Sequence, residues 1–354
     1  MRFGWLSLSL SPSPKEDRAS IENVMLQALE AEKLGFGDIW LTEHYFTGES
    51  VYNDAILFAA ALAMKTTDIR IGFSVVQMPF HHPVRLATQL ALLDNLSNGR
   101  IDVGVGKGTV FNEYEFAGHG LTSDDSQQRA SEGFEILEKA WKGGGFRHEG
   151  KFYNLEVPDI RPRPVQQPGP PVWRSVISPE SFTECGRLGI PILTARLPVD
   201  AISGRWELYK KGLNEGGHCA SIQKKLLQQN ALWRNVYVAD SDNQAEDELL
   251  QFLVSTRKHM MEIRNEFNPK EFRPRPEMLN AWTDPDVSHE DGAKMAMQTG
   301  SLYGSARRVK EQVDELQRAG VCHLLCQTGF GAMDTDKHIA SMRRFGHQVM
   351  PSFL

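Results

Sequence analysis

Glu43 and His44, at the end of the run Asp38-Ile-Trp-Leu-Thr-Glu-His-Tyr-Phe46, are the side chains of this sequence with the most chemistry to offer. An imidazole with its ordinary pKa of about 6.5 changes charge close to neutrality, so it can give or take a proton in a reaction run at pH 7. Ile39 to Leu41 reads as a short buried strand, and polar residues at its end would emerge at the rim of a sheet or barrel, where chemistry is usually placed. The plainer reading stands beside this one, since a lone histidine near apolar residues is often a satisfied core residue.

Two further stretches could hold an anion. Gly104-Val-Gly-Lys-Gly108 is spaced wrongly for a dinucleotide fingerprint, because its third glycine comes one place early and no obvious helix follows. It would still let a ligand approach the backbone, with Lys107 as a cation, unless Lys107 is simply an exposed loop charge. Ser178-Pro-Glu-Ser181 lies between a strand and a helix, where it offers free N–H groups at a positive helix end, although capping alone would also explain it. The cysteines Cys185, Cys219, Cys322 and Cys326 are scattered, which favours reduced structural thiols over a metal site.

Strand and helix patterns alternate from end to end. Phe3 to Leu8 alternates as a strand, Ser20 opens an amphipathic helix that Gly35 stops, and the Trp40 strand follows. The same rhythm continues through helices near 54–64 and 84–96, the second started by Pro83, and through strands near 69–76 and 100–105. It resumes at 171–177, 190–195, 232–239 and 321–327, for eight strands and about eight helices in all. That count predicts a (β/α)8 TIM barrel with loop insertions, one domain over 1–354, in preference to a doubly wound open sheet. Residues 142–171 read as a surface excursion. Residues 268–299, with Pro269, Pro274, Pro276 and Pro285 but also Met278, Leu279 and Trp282, read as a lid. Phe73, Phe111 and Trp282 are candidates for a pocket wall or for core packing.

Composition excludes some functions. With 41% hydrophobic and 24% charged residues the chain can build a sizeable core. A net charge of −6 with no basic run disfavours nucleic acid as partner. No stretch of about 18 apolar residues suggests a membrane span, and no signal peptide is evident, so a cytoplasmic protein is expected.

Four stretches together resemble the bacterial luciferase-like flavin-dependent monooxygenases, and within them the luciferase α subunit group. They are Trp40-Leu-Thr-Glu-His-Tyr-Phe46, Met78-Pro-Phe-His-His-Pro-Val-Arg85, Leu93-Asp-Asn-Leu-Ser-Asn-Gly-Arg100 and Ser341-Met-Arg-Arg-Phe-Gly-His-Gln-Val-Met-Pro351. The resemblance implies a two-component monooxygenase, in which a separate flavin reductase supplies FMNH2 and O2 reacts to a flavin hydroperoxide that oxygenates a small organic substrate. It implies His44 as the catalytic histidine beside the flavin, and Ser74-Val75 as a strand step that often holds a non-proline cis peptide under the ring. Lys107, Ser178 and Ser181 would bind the FMN phosphate, with Ile177 beside them and Arg129 as a further match. The family pairs its subunits through the helices near 53–64 and 84–96, which implies a homodimer.

Departures from the family pattern are also informative. Gly106 stands where luciferase has a cysteine, Tyr45 where it has a second histidine, and Lys107 where it has an arginine. They count against light emission and against a long-chain aldehyde as substrate. Two other readings remain open: a deazaflavin-dependent oxidoreductase of the same fold, and a flavin-binding partner subunit without catalysis.

Overall fold

The computed structural model describes residues 1–195, 197–276, 279–331 and 333–354. In chain order the first half runs β1 Arg2–Ser7, α1 Asp17–Lys33, β2 Asp38–Leu41, α2 Ala55–Ala63, β3 Arg70–Gln77, α3 Pro83–Leu96, β4 Ile101–Gly106, α4 Glu113–Gly118 and α5 Ser126–Lys142. A hairpin, β5 Phe146–Glu149 and β6 Asn154–Val157, precedes β7 Val172–Ser175, α6 Pro179–Leu188, β8 Ile192–Ala195, α7 Val199–Glu215 and α8 Ala220–Gln229. The chain ends with β9 Ala231–Val238, α9 Asp242–Phe267, α10 His289–Gly300, β10 Ser301–Gly304, α11 Ala306–Arg318, β11 His323–Gln327 and α12 Thr335–Arg344.

Among the described residues eight parallel strands, β1 to β4, β7 to β9 and β11, pair side by side, and β8 pairing with β9 closes them into a barrel. This is the expected (β/α)8 TIM barrel. The strand β10 lies outside the closed ring, paired to the last residues of β9 from Asn235 to Val238. Successive strand side chains face opposite sides, which here separates two cores. Phe3, Trp5, Ile39, Leu41, Ile71, Phe73 and Val103 pack outward in the large core, while Leu6, Trp40, Trp173, Leu193, Ala231 and Leu325 fill the barrel. Phe73 therefore belongs to the large core and is no pocket wall.

The inner core is built around Trp40, whose ring meets Trp173 edge-on at 5.6 Å. Room for it comes from Gly72, where a Cβ would lie 2.6 Å from the indole. Charges plug the N-terminal end of the barrel. Asp38, wholly buried, accepts from Trp40 Nε1, pairs with Arg2 and stands 3.0 Å from His323 Nε2; next to it Arg70 Nε donates to Asp102 at 2.8 Å. Burial opposes the Asp38 charge, but His323, Arg2 and Trp40 outweigh it and hold the carboxyl pKa at about 2. With that end closed, the C-terminal mouth is left for a site.

Several boundaries differ from the sequence reading. The first helix starts at Asp17, three residues before Ser20. The excursion at 142–171 holds an antiparallel hairpin. Residues 220–229 form a helix that periodicity does not reveal, because only Leu226 is buried in it. Within 268–299, residues 289–300 form α10 instead of open loop: Ser288 Oγ caps it by accepting from Asp291 N, and its small residues Ala293 and Ala296 pack with Leu249 and Leu253 of α9. Small residues carry little hydrophobic contrast, which is why the pattern hid it. Met278 lies outside the described residues.

His338 of α12 ties this frame to pH. Its Nε2 accepts from the Thr328 hydroxyl at 2.7 Å, and that hydroxyl accepts in turn from Trp5 Nε1 at 2.9 Å. Burial pushes the imidazole pKa down to about 3. A lowered folded-state pKa contributes stability that is complete above the unfolded value of about 6.5 and is lost as pH falls toward 3. Denaturant titrations should show stability falling by about 1.4 kcal/mol per pH unit below pH 6 from this group, a slope that His338→Gln should remove.

Candidate active site

The strand β2 delivers Thr42 to Phe46 to the C-terminal mouth. Thr42 Oγ1 donates to Ser7 O at 2.8 Å and anchors the exit to β1. Glu43 and His44 then turn to opposite sides. The Glu43 carboxylate accepts from Tyr45 Oη at 2.6 Å and lies 2.7 Å from His81 Nε2, with the Gln77 backbone N–H also donating to it. Every oxygen of Glu43 is thus engaged in joining β2 to the end of β3.

His44 faces a separate set of charges. Its Nδ1 lies 3.2 Å from Glu115 Oε1 of α4, and its Nε2 lies 3.7 Å from Glu49 Oε1; its side chain is 16% exposed. Arg264 of α9 adds a second cation, donating from Nε to Asn112 Oδ1 at 3.0 Å with its guanidinium 5.6 Å from the Phe111 ring centre. Burial disfavours the charged imidazole and Arg264 opposes it, but Glu49 and Glu115 prevail and raise its pKa to about 9. His44 is therefore an imidazolium at neutral pH, a proton donor. The ordinary pKa assumed from sequence does not hold here, because two carboxylates outweigh desolvation.

Sequence reasoning does not single out Glu49, Glu115 or Arg264. Glu115 and His44 are separated by 71 residues, and no local pattern links them.

Farther round the same mouth, β4 and β7 are neighbours, with Val105 level with Arg174. Their ends bring Lys107, which is exposed, to the same side of the barrel as Ile177 and Ser178. Ser178 is the N-cap of α6, with its Oγ 3.0 Å from Ser181 Oγ, and Ile177 is 69% exposed. A helix start carrying two serine hydroxyls, on the side of the barrel that also carries a lysine, suits a phosphate, and a bare isoleucine at a barrel mouth suits a flat apolar ring. On β3, which lies between β2 and β4, the Ser74–Val75 peptide bond is cis. A Cβ on Gly106 would lie 2.5 Å from Val75 Cγ2, so Val75 takes the space a cysteine there would need. Arg129 of α5 lies 4.2 Å over the ring of Phe152, which sits in the turn between β5 and β6.

Residues 1–323 match the family model described as luciferase-like monooxygenase. The chain belongs to this family. Among relatives, the oxygenase component of the flavin-dependent trigonelline monooxygenase of Acinetobacter baylyi is 26% identical over 100% of this chain and 96% of that protein. Of solved structures, the oxygenating constituent of 3,6-diketocamphane monooxygenase from Pseudomonas putida, a type II Baeyer-Villiger enzyme in complex with FMN, superposes with a TM-score of 0.76 at 20% identity, over 100% of this chain and 99% of that one. An F420-dependent secondary alcohol dehydrogenase superposes with a TM-score of 0.73 at 18% identity, again over 100% and 99%. The luciferase-like family and the barrel expected from sequence are both found, and the chain is an oxidoreductase of the general monooxygenase kind. No helix among the described residues is long and apolar enough to cross a membrane.

Proposed function

We propose that this luciferase-like protein is the oxygenase component of a two-component monooxygenase. A separate reductase would supply FMNH2, one atom of O2 would enter a small organic substrate, and the other would leave as water. The supporting observation is His44, a charged imidazole at the barrel mouth that also carries a phosphate-type helix start. Bound FMNH2 supplies the two electrons and the oxygen-activating chemistry. Lys107, Ser178, Ser181 and the first N–H groups of α6 would hold its phosphate, with Arg129 as an outlying cation. Ser74, Val75 and Ile177 would flank the ring. His44 would deliver a proton to an oxygen that gains negative charge in the reaction. Supplying FMNH2 and 18O2 with panels of small aromatic and cyclic substrates tests this: one labelled oxygen in the product is expected.

The second reading, a deazaflavin-dependent oxidoreductase, draws support from the F420-dependent neighbour. Turnover with F420 in the absence of O2 would establish it instead. No turnover with either cofactor would point to a non-catalytic partner subunit.

Of the segment that follows α9, residues 268–276 and 279–288 would cover the site. Arg257, buried in α9, pins this segment by donating to Trp282 O at 3.1 Å and to Asp284 O at 2.6 Å, while its Nη1 lies 2.9 Å from His289 Nδ1. A released cover would admit water and let reduced oxygen escape as H2O2. Arg257→Ala is expected to keep FMNH2 oxidation fast while raising H2O2 released per flavin about two- to fivefold. Unchanged coupling in a peroxide assay would remove the cover role.

A second copy of the chain would cover α2 and α3, where Leu57 is 71% and Met64 70% exposed on one helix and Leu92 50% on the next. Isologous packing of these faces would give a homodimer. Light scattering at micromolar concentration should return twice the chain mass, and Leu57→Glu with Met64→Glu should halve it.

A further inference from the structure

We propose that Glu115 is the positioning residue for His44: its carboxylate clamps the imidazole by Nδ1 and, together with Glu49, keeps the ring in its proton-donating form. This rests on the role for His44 proposed above. No sequence motif carries Glu115; the geometry of α4 does.

The clamp has two points. Glu115 Oε1 lies 3.2 Å from His44 Nδ1 and also accepts the Tyr45 backbone N–H at 2.8 Å. One oxygen therefore holds both the imidazole and the peptide that follows it, which fixes the ring against the backbone that carries it. The other oxygen is 3.4 Å from Asn112 Nδ2. Asn112 Oδ1 accepts from Arg264, and the Asn268 side chain of the next turn accepts from Tyr114 N at 3.0 Å and donates to Phe111 O at 3.0 Å. Glu115 is fully buried and so cannot swing away to solvent. A ring bound by Nδ1–H leaves Nε2 as the edge free to meet a reacting oxygen, with Glu49 at 3.7 Å as a looser second anchor.

The groups facing His44 come from three elements and can be counted. Glu49 comes from its own loop, Glu115 from α4 and Arg264 from α9, with the Tyr114 phenol also nearby. Burial pushes the phenol pKa up, so Tyr114 stays neutral. Two carboxylates then balance the imidazolium and the guanidinium. Removing one carboxylate leaves two buried cations against a single anion, and the imidazole, whose proton is the more readily lost, would give it up. For a donor that must still carry its proton at pH 8, Glu115 is decisive.

The test is Glu115→Gln, which keeps the size of the side chain and an oxygen for the Tyr45 N–H. Titration of the His44 ring by nitrogen-15 NMR in the flavin-free protein should give a midpoint near 9 in the wild type. In the variant it should fall toward the ordinary value of about 6.5. Turnover at pH 8 should then drop roughly tenfold relative to pH 6, with substrate KM and FMN affinity held within about twofold. Glu115→Asp, which keeps the charge but draws it back from Nδ1, should show a smaller downward shift; it serves as the second variant if Glu115→Gln does not fold by circular dichroism. An imidazole midpoint unchanged in both variants overturns the proposal. A shifted midpoint with an unmoved turnover profile also overturns it, by removing His44 from the reaction. The titration needs neither flavin nor substrate, so failure of wild-type oxygenation tests the proposed function separately.

Discussion

Replacing His44 by alanine is expected to lower oxygenation by about 10²- to 10⁴-fold at pH 7, the usual contribution of a placed proton-transfer group. The imidazole stands at the end of β2 between Glu49 and Glu115, with a pKa raised to about 9, so nearly every wild-type molecule carries the proton at pH 7. Wild-type turnover should be flat from pH 6 to 8 and fall as pH rises through 9. The same raised pKa makes His44 a stabilising group: its contribution is complete below the unfolded value of about 6.5 and is lost as pH rises through 9. The alanine variant should therefore be less stable at pH 7 by about 1–3 kcal/mol, because Glu115 loses a buried partner. Its rate should be measured well below its melting temperature. FMN binding should change less than twofold, since the proposed phosphate residues Lys107, Ser178 and Ser181 lie past the end of β4 and at the start of α6. A variant that oxygenates at the wild-type rate with saturating FMNH2 would remove His44 from the mechanism.

Trp40→Ala should be the most damaging single change to the barrel, at about 3–5 kcal/mol of stability in urea denaturation. Trp40 is wholly buried, packs edge-on against Trp173, and donates its indole N–H to Asp38. Truncation opens a cavity in the inner core and removes one of the groups that keep Asp38 ionised. Gly72 cannot compensate, since it is glycine to make room for the ring that has gone. The part of the cost that comes through Asp38 should shrink as pH falls toward 2 and the carboxyl takes up a proton. Because Trp40 lies four residues before His44 on the same strand exit, a surviving variant should also lose oxygenation. Leu193→Ala, in the same inner core but on β8, should cost about 2–4 kcal/mol and leave turnover per folded molecule closer to normal. Equal stabilities of the Trp40 variant and the wild type would mean that the inner core does not hold the barrel.

The strand and helix alternation can be read in the sequence because its causes are local. Period-two burial, Pro83 at a first turn and Gly35 past a helix end each act within a few residues, and eight strand-and-helix repeats lead to a barrel. His44 is legible for the same reason, as a polar residue placed where a short apolar strand must end. Helices whose buried faces are small or sparse, α8 and α10, escape that reading, because their place comes from packing against neighbours and not from their own pattern. The protonation of His44 escapes it more completely. Its pKa depends on a carboxylate from α4 at 3.2 Å, another in its own loop at 3.7 Å and a guanidinium from α9, which barrel closure gathers round the imidazole. Electrostatic energy depends on distance through space, and a separation along the chain such as the 71 residues between His44 and Glu115 says nothing of that distance until the sheet has closed.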